Sequence, residues 1–226
     1  LLATSALISS LIEKQTVNTR KVWTARHPIP RGTLLLFDTL MFSVPDRSDR
    51  DYPHTQNILD VFSRLSNKEK SKYLDLRGWL LSPSMSRAKQ DFGFPAKYDE
   101  TRWKTLAIWF ANAIDNDVYY EGGHSSHSCT PNLFSHNNNL DGRKWRAILD
   151  IKKGTVLTIP YIEVKMRTRS QRRRELKQYH GFICQCWICT QGKEKVANSD
   201  ATRLQIGDLV SKVLEEHQRG DDADFK

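Results

Sequence analysis

No apolar run in this 226-residue sequence approaches the eighteen or so residues needed to span a bilayer, so no membrane partner is expected. It also lacks internal repeats and low-complexity segments, which leaves ordinary globular packing. Hydrophobic residues are 38%, aromatics 10% and charged residues 27%, a soluble globular profile on the polar side rather than a disordered one. The length suffices for one sizeable core, or one core with a small appendage. Acidic residues are fewer than basic ones, 26 against 35, and the net charge of +9 suits an acidic partner or a nucleic acid without selecting a function. The opening "LLATSALISSLIEK" is apolar over about one signal-peptide core. It has no initiator Met and no basic leader, so it reads as a trimmed start and leaves targeting open.

Cysteine is scarce as well, and its placement is informative. Cys184, Cys186 and Cys189 crowd into "CQCWIC", while Cys129 stands far upstream in "GGHSSHSCTPN". A Cys-x-Cys pair is awkward for a disulfide framework, whereas three thiolates on one tight turn converge readily on a cation. Tetrahedral zinc needs a fourth ligand, and Cys129 is the one thiol left to supply it. The alternative is four reduced thiols with no metal.

The apolar periodicity orders the chain as β, α, β, metal knuckle, α. "KVWTARHPIPRGTLLLFDT" reads as strand, turn, strand around Pro28, Pro30 and Gly32. Ile58, Val61, Phe62 and Leu65 make one helical face, and "SNKE" at Ser66 to Glu69 forms a capping box that opens a second helix. Trp103, Leu106, Ala107 and Phe110 mark a third, separated by the Pro, Gly and Ser of "LSPSMSRAKQDFGFPAK". Strand composition returns at "KWRAILDI" and "TVLTI". After the cysteines, Ser199 or Asp200 is placed to cap a last helix carrying Ile206, Leu209, Val210 and Val213. The basic run "KMRTRSQRRRELK" has the composition of a nucleic-acid grip or import signal. At helical spacing it reads instead as a solvated face with Leu176 and Tyr179 turned inward. His136, in "FSHNNN", reads as a solvated loop histidine.

Five motifs, "IPRGTLLLFDTLMF", "LAIWFANA", "SHSCTPN", "ILDIKKGTVLTIPYIEV" and "RRRELKQYHGFICQCWICT", occur in an order that resembles a SET domain. The likeness is to the fungal branch similar to SET and MYND-type lysine methyltransferases, and it runs from about Val17 to Thr190. No MYND finger is expected, since all four cysteines are already used. The resemblance implies an α+β, mainly β, fold of small twisted sheets with a helical insertion, a post-SET zinc knuckle and a C-terminal helix. It divides the chain into N-terminal SET strands (1–45), helical insertion (46–115), C-terminal SET core (116–166), post-SET knuckle (167–192) and C-terminal helix and tail (193–226).

The resemblance also implies roles. Cys129, Cys184, Cys186 and Cys189 would hold a structural Zn²⁺. Arg20, Val22, Trp23, Ser126, His127 and Phe182 would contact S-adenosylmethionine, and Tyr161 would sit at the mouth of the methyl-transfer channel as the catalytic residue. Pro160 before it must end or bend the strand. The departures lie on the cofactor side. Ser126 stands for an asparagine, His124 for an arginine, and Thr19 and Lys21 for the glycines of a backbone loop that closes on the cofactor. A hydroxyl cannot present the paired donor and acceptor of an amide, and a Cβ in such a loop crowds a ligand.

Blander roles stand beside these. Tyr161 could be a strand-end aromatic filling the core, and His127 could orient backbone through its ring. His124 and His127 in a Gly/Ser-rich loop are poor candidates for an acid–base pair. Two functions follow: a protein-lysine methyltransferase, or a SET fold that binds or catalyses something else in a vacated pocket. The first expects a protein or peptide lysine as partner, a histone among the candidates, and the second a small molecule. Neither requires nucleic acid, and nucleus or cytoplasm is the expected location.

Overall fold

The computed structural model describes residues 10–17, 20–38, 40–44, 55–76, 100–114, 117–119, 124–138 and 142–223. The chain divides into two compact units. One runs through Ser126 and resumes over Pro131–Ile159 and Tyr179–Gly181; the other gathers His127–Thr130, Pro160–Gln178 and the chain from Phe182 on. Thr19, the linker of 81–97 and the glycines at 122 and 123 lie outside the described residues. No helix among the described residues is long and apolar enough to cross a membrane.

Among the described residues, the first unit is built from short strands and the helices over 55–64, 67–75 and 100–112. Strands β1 (Ile12–Val17) and β2 (Arg20–Ala25) pair antiparallel, with Val17 opposite Arg20 and Lys14 opposite Trp23. The expected strand, turn, strand follows: β2 leads through a turn at Gly32, φ +86°, into β3 (Leu34–Asp38). A left-handed backbone suits glycine there. Strand β4 (Leu40–Ser43) precedes helices α1 (Thr55–Arg64), α2 (Asn67–Asp75) and α3 (Glu100–Asn112). Strands β5 (Ala113–Ile114), β6 (Asp117–Tyr119), β7 (Ser126–His127), β8 (Leu133–Asn138), β9 (Gly142–Ala147) and β10 (Thr158–Ile159) complete the set. Two three-stranded sheets, ordered β3–β9–β8 and β4–β6–β5, accompany the two-stranded pairings β1–β2 and β7–β10.

Alternation sets the faces. Arg143, Trp145 and Ala147 of β9 point inward while Arg146 between them is exposed, the period of two expected of a sheet with one covered side. The strand expected over "KWRAILDI" stops at Ala147, because Ile148 and Leu149 turn outward and only Ile151 returns, bridging Ile29. "TVLTI" likewise contributes only Thr158–Ile159 as strand, with a single bridge from Val156 to Thr24 after the turn at Gly154. His136 belongs to β8 and stacks on Phe134 at 6.3 Å between centroids, so it is a strand residue and not a loop one.

Helices α1 to α3 share one core with Phe42 of β4 and Val118 of β6. Ile58, Leu59 and Phe62 are buried, with Val61 and Leu65 packed against them. The capping box at α2 is present: Glu69 N–H donates to Ser66 Oγ at 3.3 Å and Ser66 N–H to Glu69 Oε2 at 2.8 Å. Thr105 to Trp109 of α3 are buried in succession, so this helix is covered on more than one face, while Phe110 reaches solvent. Tyr73 is the hub. Its ring lies 5.2 Å from Phe42 and 5.4 Å from Phe62, and its hydroxyl donates to Thr105 O at 2.6 Å.

Burial pushes the Tyr73 phenol well above the ordinary tyrosine range, so it stays protonated as the donor. Ionising it would place an uncompensated charge in this core. The stability it contributes is therefore complete below the ordinary pKa of about 10 and is lost as pH rises above that value. Tyr73→Phe should cost about 1 kcal/mol in urea denaturation at pH 7. It should also flatten the loss of stability above pH 10.

Candidate metal centre and active-site loop

The second unit holds all four cysteines. Helix α4 (Arg169–His180) ends at Gly181, whose φ of +65° is the left-handed conformation that closes a helix. Phe182 N–H then returns to Leu176 O at 3.4 Å, which sends the chain into "CQCWIC". Cys186 precedes the short helix α5 (Trp187–Thr190), and its backbone N–H donates to Cys184 Sγ at 3.4 Å. Upstream, the Ser128 hydroxyl accepts from Thr130 N–H at 3.1 Å, closing a tight turn around Cys129.

These turns bring the four sulfurs within 4.8 Å of one another. Cys129 Sγ lies 3.8 Å from Cys184 Sγ and 3.6 Å from Cys189 Sγ. A tetrahedron with zinc–sulfur bonds of about 2.3 Å requires sulfurs roughly 3.8 Å apart. The donor set therefore fits a structural zinc by residue type and spacing, and all four cysteines are free of disulfides. Crowding redistributes their protons. Hydrogen bonds from Cys184, Cys186 and Cys189, with burial, push the Cys129 thiol far up, while Cys129 and Cys184 hold Cys186 down and bring Cys189 to about 6. A divalent cation at the centre would let all four ionise.

His127, two residues before Cys129, connects the cysteines to Tyr161. Its Nδ1 accepts the Tyr161 backbone N–H at 3.1 Å. A neutral ring then carries its proton on Nε2, which lies 3.5 Å from Cys129 Sγ. One imidazole thus holds a metal-ligand candidate at one end and the backbone of the catalytic candidate at the other. The half-buried rings of His127, Tyr161 and Phe182 form a trio, with centroids 5.3 Å, 5.8 Å and 6.4 Å apart and Tyr161 edge-on to Phe182. Strand β10 ends at Ile159, and Pro160 releases Tyr161 from the ladder.

The other cofactor candidates belong to the first unit. Arg20, Val22 and Trp23 lie on β2, where Val22 is buried and the Lys14 ammonium sits 4.8 Å from the Trp23 ring centre. Lys21 reaches the Asp75 carboxylate on α2 at 3.2 Å and is exposed. Ser126 N–H donates to Leu157 O at 3.1 Å. His124 is buried.

Three further residues take roles that sequence patterning does not assign. Asn132 is tied into the sheet by its amide: Nδ2 donates to Val156 O at 2.9 Å and Oδ1 accepts from Thr158 N–H at 2.7 Å. Its place at the end of "SHSCTPN" is the available signal. Arg172 is fully buried, although the basic run has the pattern of a solvated face, and Tyr179 is exposed where helical spacing turns it inward. Arg172 lies one turn before Leu176, so the inward face that holds Leu176 also includes it. Arg203 reaches the Cys129 carbonyl oxygen at 3.0 Å. The last helix, α6 (Lys193–Ala223), starts earlier than Ser199 or Asp200. Gly192 O accepts Val196 N–H at 3.1 Å, and the buried Val196 anchors the first turn, while Asp200 serves Arg169 N–H at 2.8 Å. Ile206, Leu209, Val210 and Val213 are exposed on this helix.

Freshly purified protein should contain one zinc per chain by elemental analysis. Removal by a strong chelator, or Cys186→Ser, should lower the melting temperature and expose the segment after Phe182 to proteolysis, because binding energy in such a site is folding energy. Zinc-free protein of unchanged stability would refute the assignment.

The family model for the SET domain matches residues 22–198. Histone-lysine N-methyltransferase SET5 of Scheffersomyces stipitis is 34% identical over 136 residues, which cover 55% of this chain and 28% of that protein. Histone-lysine N-methyltransferase SET5 of Yarrowia lipolytica is 25% identical over 175 residues, 73% of this chain and 38% of that protein. The chain therefore spans well under half the length of these relatives. Among solved structures, Rubisco LSMT bound to sinefungin and monomethyllysine superposes with a TM-score of 0.51 at 14% identity, covering 77% of this chain and 52% of that one, a likeness of fold. With the family model spanning most of its length and a lysine methyltransferase structure sharing its fold, the chain belongs to the SET-domain family.

Proposed function

We propose that this chain is the SET domain of an S-adenosylmethionine-dependent protein-lysine N-methyltransferase, with a histone lysine as the first substrate to test. The observation that carries the reading is Tyr161. It is released from β10 by Pro160, fixed through its backbone N–H to His127, and set edge-on to Phe182. Such a residue is restrained in backbone and ring plane, which is what positioning a reacting amine requires. The names of the SET5 relatives point to histones as substrates.

S-adenosylmethionine, when bound, supplies the methyl group. Arg20, Val22, Trp23, Ser126, His127 and Phe182 are the residues proposed to hold it. Lys21 tests the fit: a side chain where the family keeps glycine would crowd the ligand, but here its ammonium is drawn to Asp75 and into solvent. Ser126 is the weaker point, offering one hydroxyl where an amide would offer both a donor and an acceptor. A cofactor held by these residues would be bound with reduced affinity. Tyr161 would orient the neutral lysine amine through its hydroxyl and stabilise charge developing in the transition state. Phe182 and the His127 ring would exclude water beside it.

A second reading, a SET fold that no longer transfers methyl groups, draws on the same Ser126 substitution. Calorimetry should find S-adenosylmethionine bound with a Kd well above micromolar. Ser126→Asn combined with Lys21→Gly should tighten it by roughly 1 to 3 kcal/mol. Tight binding by the unmodified protein would overturn the weakened-pocket reading.

Transfer of labelled methyl to core histones and to a protein extract decides between the two functions. Tyr161→Phe should keep its zinc and cofactor affinity while losing about 10²-fold or more in turnover. Equal incorporation by both proteins would remove Tyr161 from the mechanism, and incorporation by neither would select the second reading.

A further inference from the structure

A fully buried arginine needs an anion, and the surroundings of Arg172 supply too little of one. Its side chain is 0% exposed. Nη1 donates to the Arg167 carbonyl oxygen and lies 3.4 Å from Asp200 Oδ1, a carboxylate that also serves the Arg169 backbone N–H. Nε and Nη2 are buried with no hydrogen-bond partner. One turn further along α4, on the same helix face, Leu176 is buried in one cluster with Cys129, Cys184 and Cys189.

A second cation stands close by. Arg203 donates to the carbonyl oxygens of Val164 and Cys129. Arg173 Nη2 and Arg169 Nη1 both reach the Cys189 carbonyl oxygen, at 3.0 and 3.4 Å. With four neutral thiols, the carboxylate beside Arg172 is that of Asp200, at 3.4 Å. A divalent cation held by four thiolates carries two net negative charges, which two guanidinium groups balance. The pattern of charge makes physical sense only around a loaded metal centre.

We infer that Arg172 is a positioning residue for the metal centre, donating its buried N–H groups to the Cys129 and Cys189 thiolates, with Arg203 completing the charge balance. It rests on the four-cysteine reading of the metal site. Two consequences follow. N–H donation to sulfur fixes each ligand's orientation and draws off charge that would otherwise make the thiolate reactive toward oxidants and competing metals. It also ties α4, through Arg172, and α6, through Asp200 and Arg203, to the cysteine turn, so the metal organises both helices.

The test uses the full chain and three variants: Arg172→Met, which keeps length and removes charge; Arg172→Lys, which keeps charge without the fork; and Arg203→Met. Zinc affinity is read by competition with a chromogenic chelator, and the cobalt-substituted proteins by their thiolate-to-cobalt charge-transfer band. Arg172→Met should bind zinc about 10- to 100-fold more weakly, the size seen when an outer-shell partner of a metal ligand is removed. Its charge-transfer band should move to lower energy as the sulfurs lose their N–H donors, and Arg172→Lys should recover part of the affinity. If Arg172→Met does not fold, Arg203→Met carries the test, with weaker zinc binding expected in the same direction. Unchanged affinity and an unchanged band in a variant that merely melts earlier would reduce the arginines to packing and overturn the inference. Failure of the unmodified protein to bind zinc or cobalt at all would overturn the metal site itself.

Discussion

The convergence of Cys129 with Cys184, Cys186 and Cys189 is the constraint from which the rest of the second unit follows. Cys129 and Cys184 are 55 residues apart in sequence and 3.8 Å apart at their sulfurs. The apolar core around them is small: Val164, Leu176 and Ile188, with Tyr161, Ile162 and Phe182 packed against it. A cluster of that size cannot by itself offset the entropy of ordering helix α4, the cysteine turn and a 31-residue helix α6. Structural zinc in small peptides contributes on the order of 10 kcal/mol or more, against about 1 kcal/mol for a single hydrogen bond. The metal would therefore stabilise this unit more than any other interaction within it.

The reaction proposed for this chain inherits that constraint through one side chain. His127 accepts from the Tyr161 N–H and places its other nitrogen beside Cys129 Sγ, so the ligand turn and the catalytic candidate share a support. Either hydrogen bond alone is weak, but the ring that makes them has little freedom left once the cysteine is fixed. The buried guanidinium of Arg172, 3.4 Å from Asp200, is the group we infer to act on the sulfurs from another direction. A site of this kind is stable when loaded and poorly balanced when empty, because its cations suit sulfurs that are charged.

The first unit is organised differently. Its sheets are small, and its helices pack on an aromatic core around Tyr73, with Phe42, Phe62 and Trp109 in contact with one another or with that ring. Local rules cover it well. The capping box, the face of α1 and the turn at Gly32 depend on residues a few positions apart, and each lies where periodicity and turn chemistry place it. Element ends are less legible. "KWRAILDI" is uniformly strand-like in composition, but pairing partners run out after Ala147.

What the sequence determined by itself was whatever short spacing decides: which segments are helices, that the three late cysteines form a turn suited to a cation, and that Pro160 must end a strand before Tyr161. The motif order also sufficed for the family, since five separated segments in sequence leave little room for another fold. Only the tertiary structure decided the roles that depend on a distant neighbour. Arg172 sits in a run of basic residues whose composition says solvent, and it is buried, with Asp200, 28 residues away in sequence, beside its guanidinium. Asp200 has the chemistry of a helix cap, but its carboxylate is engaged by Arg169 and Arg172 instead. Tyr179 has the spacing of a core residue and is exposed. Charge pairing and burial act through space, so a sequence shows the groups that can take part, and the fold selects which of them meet.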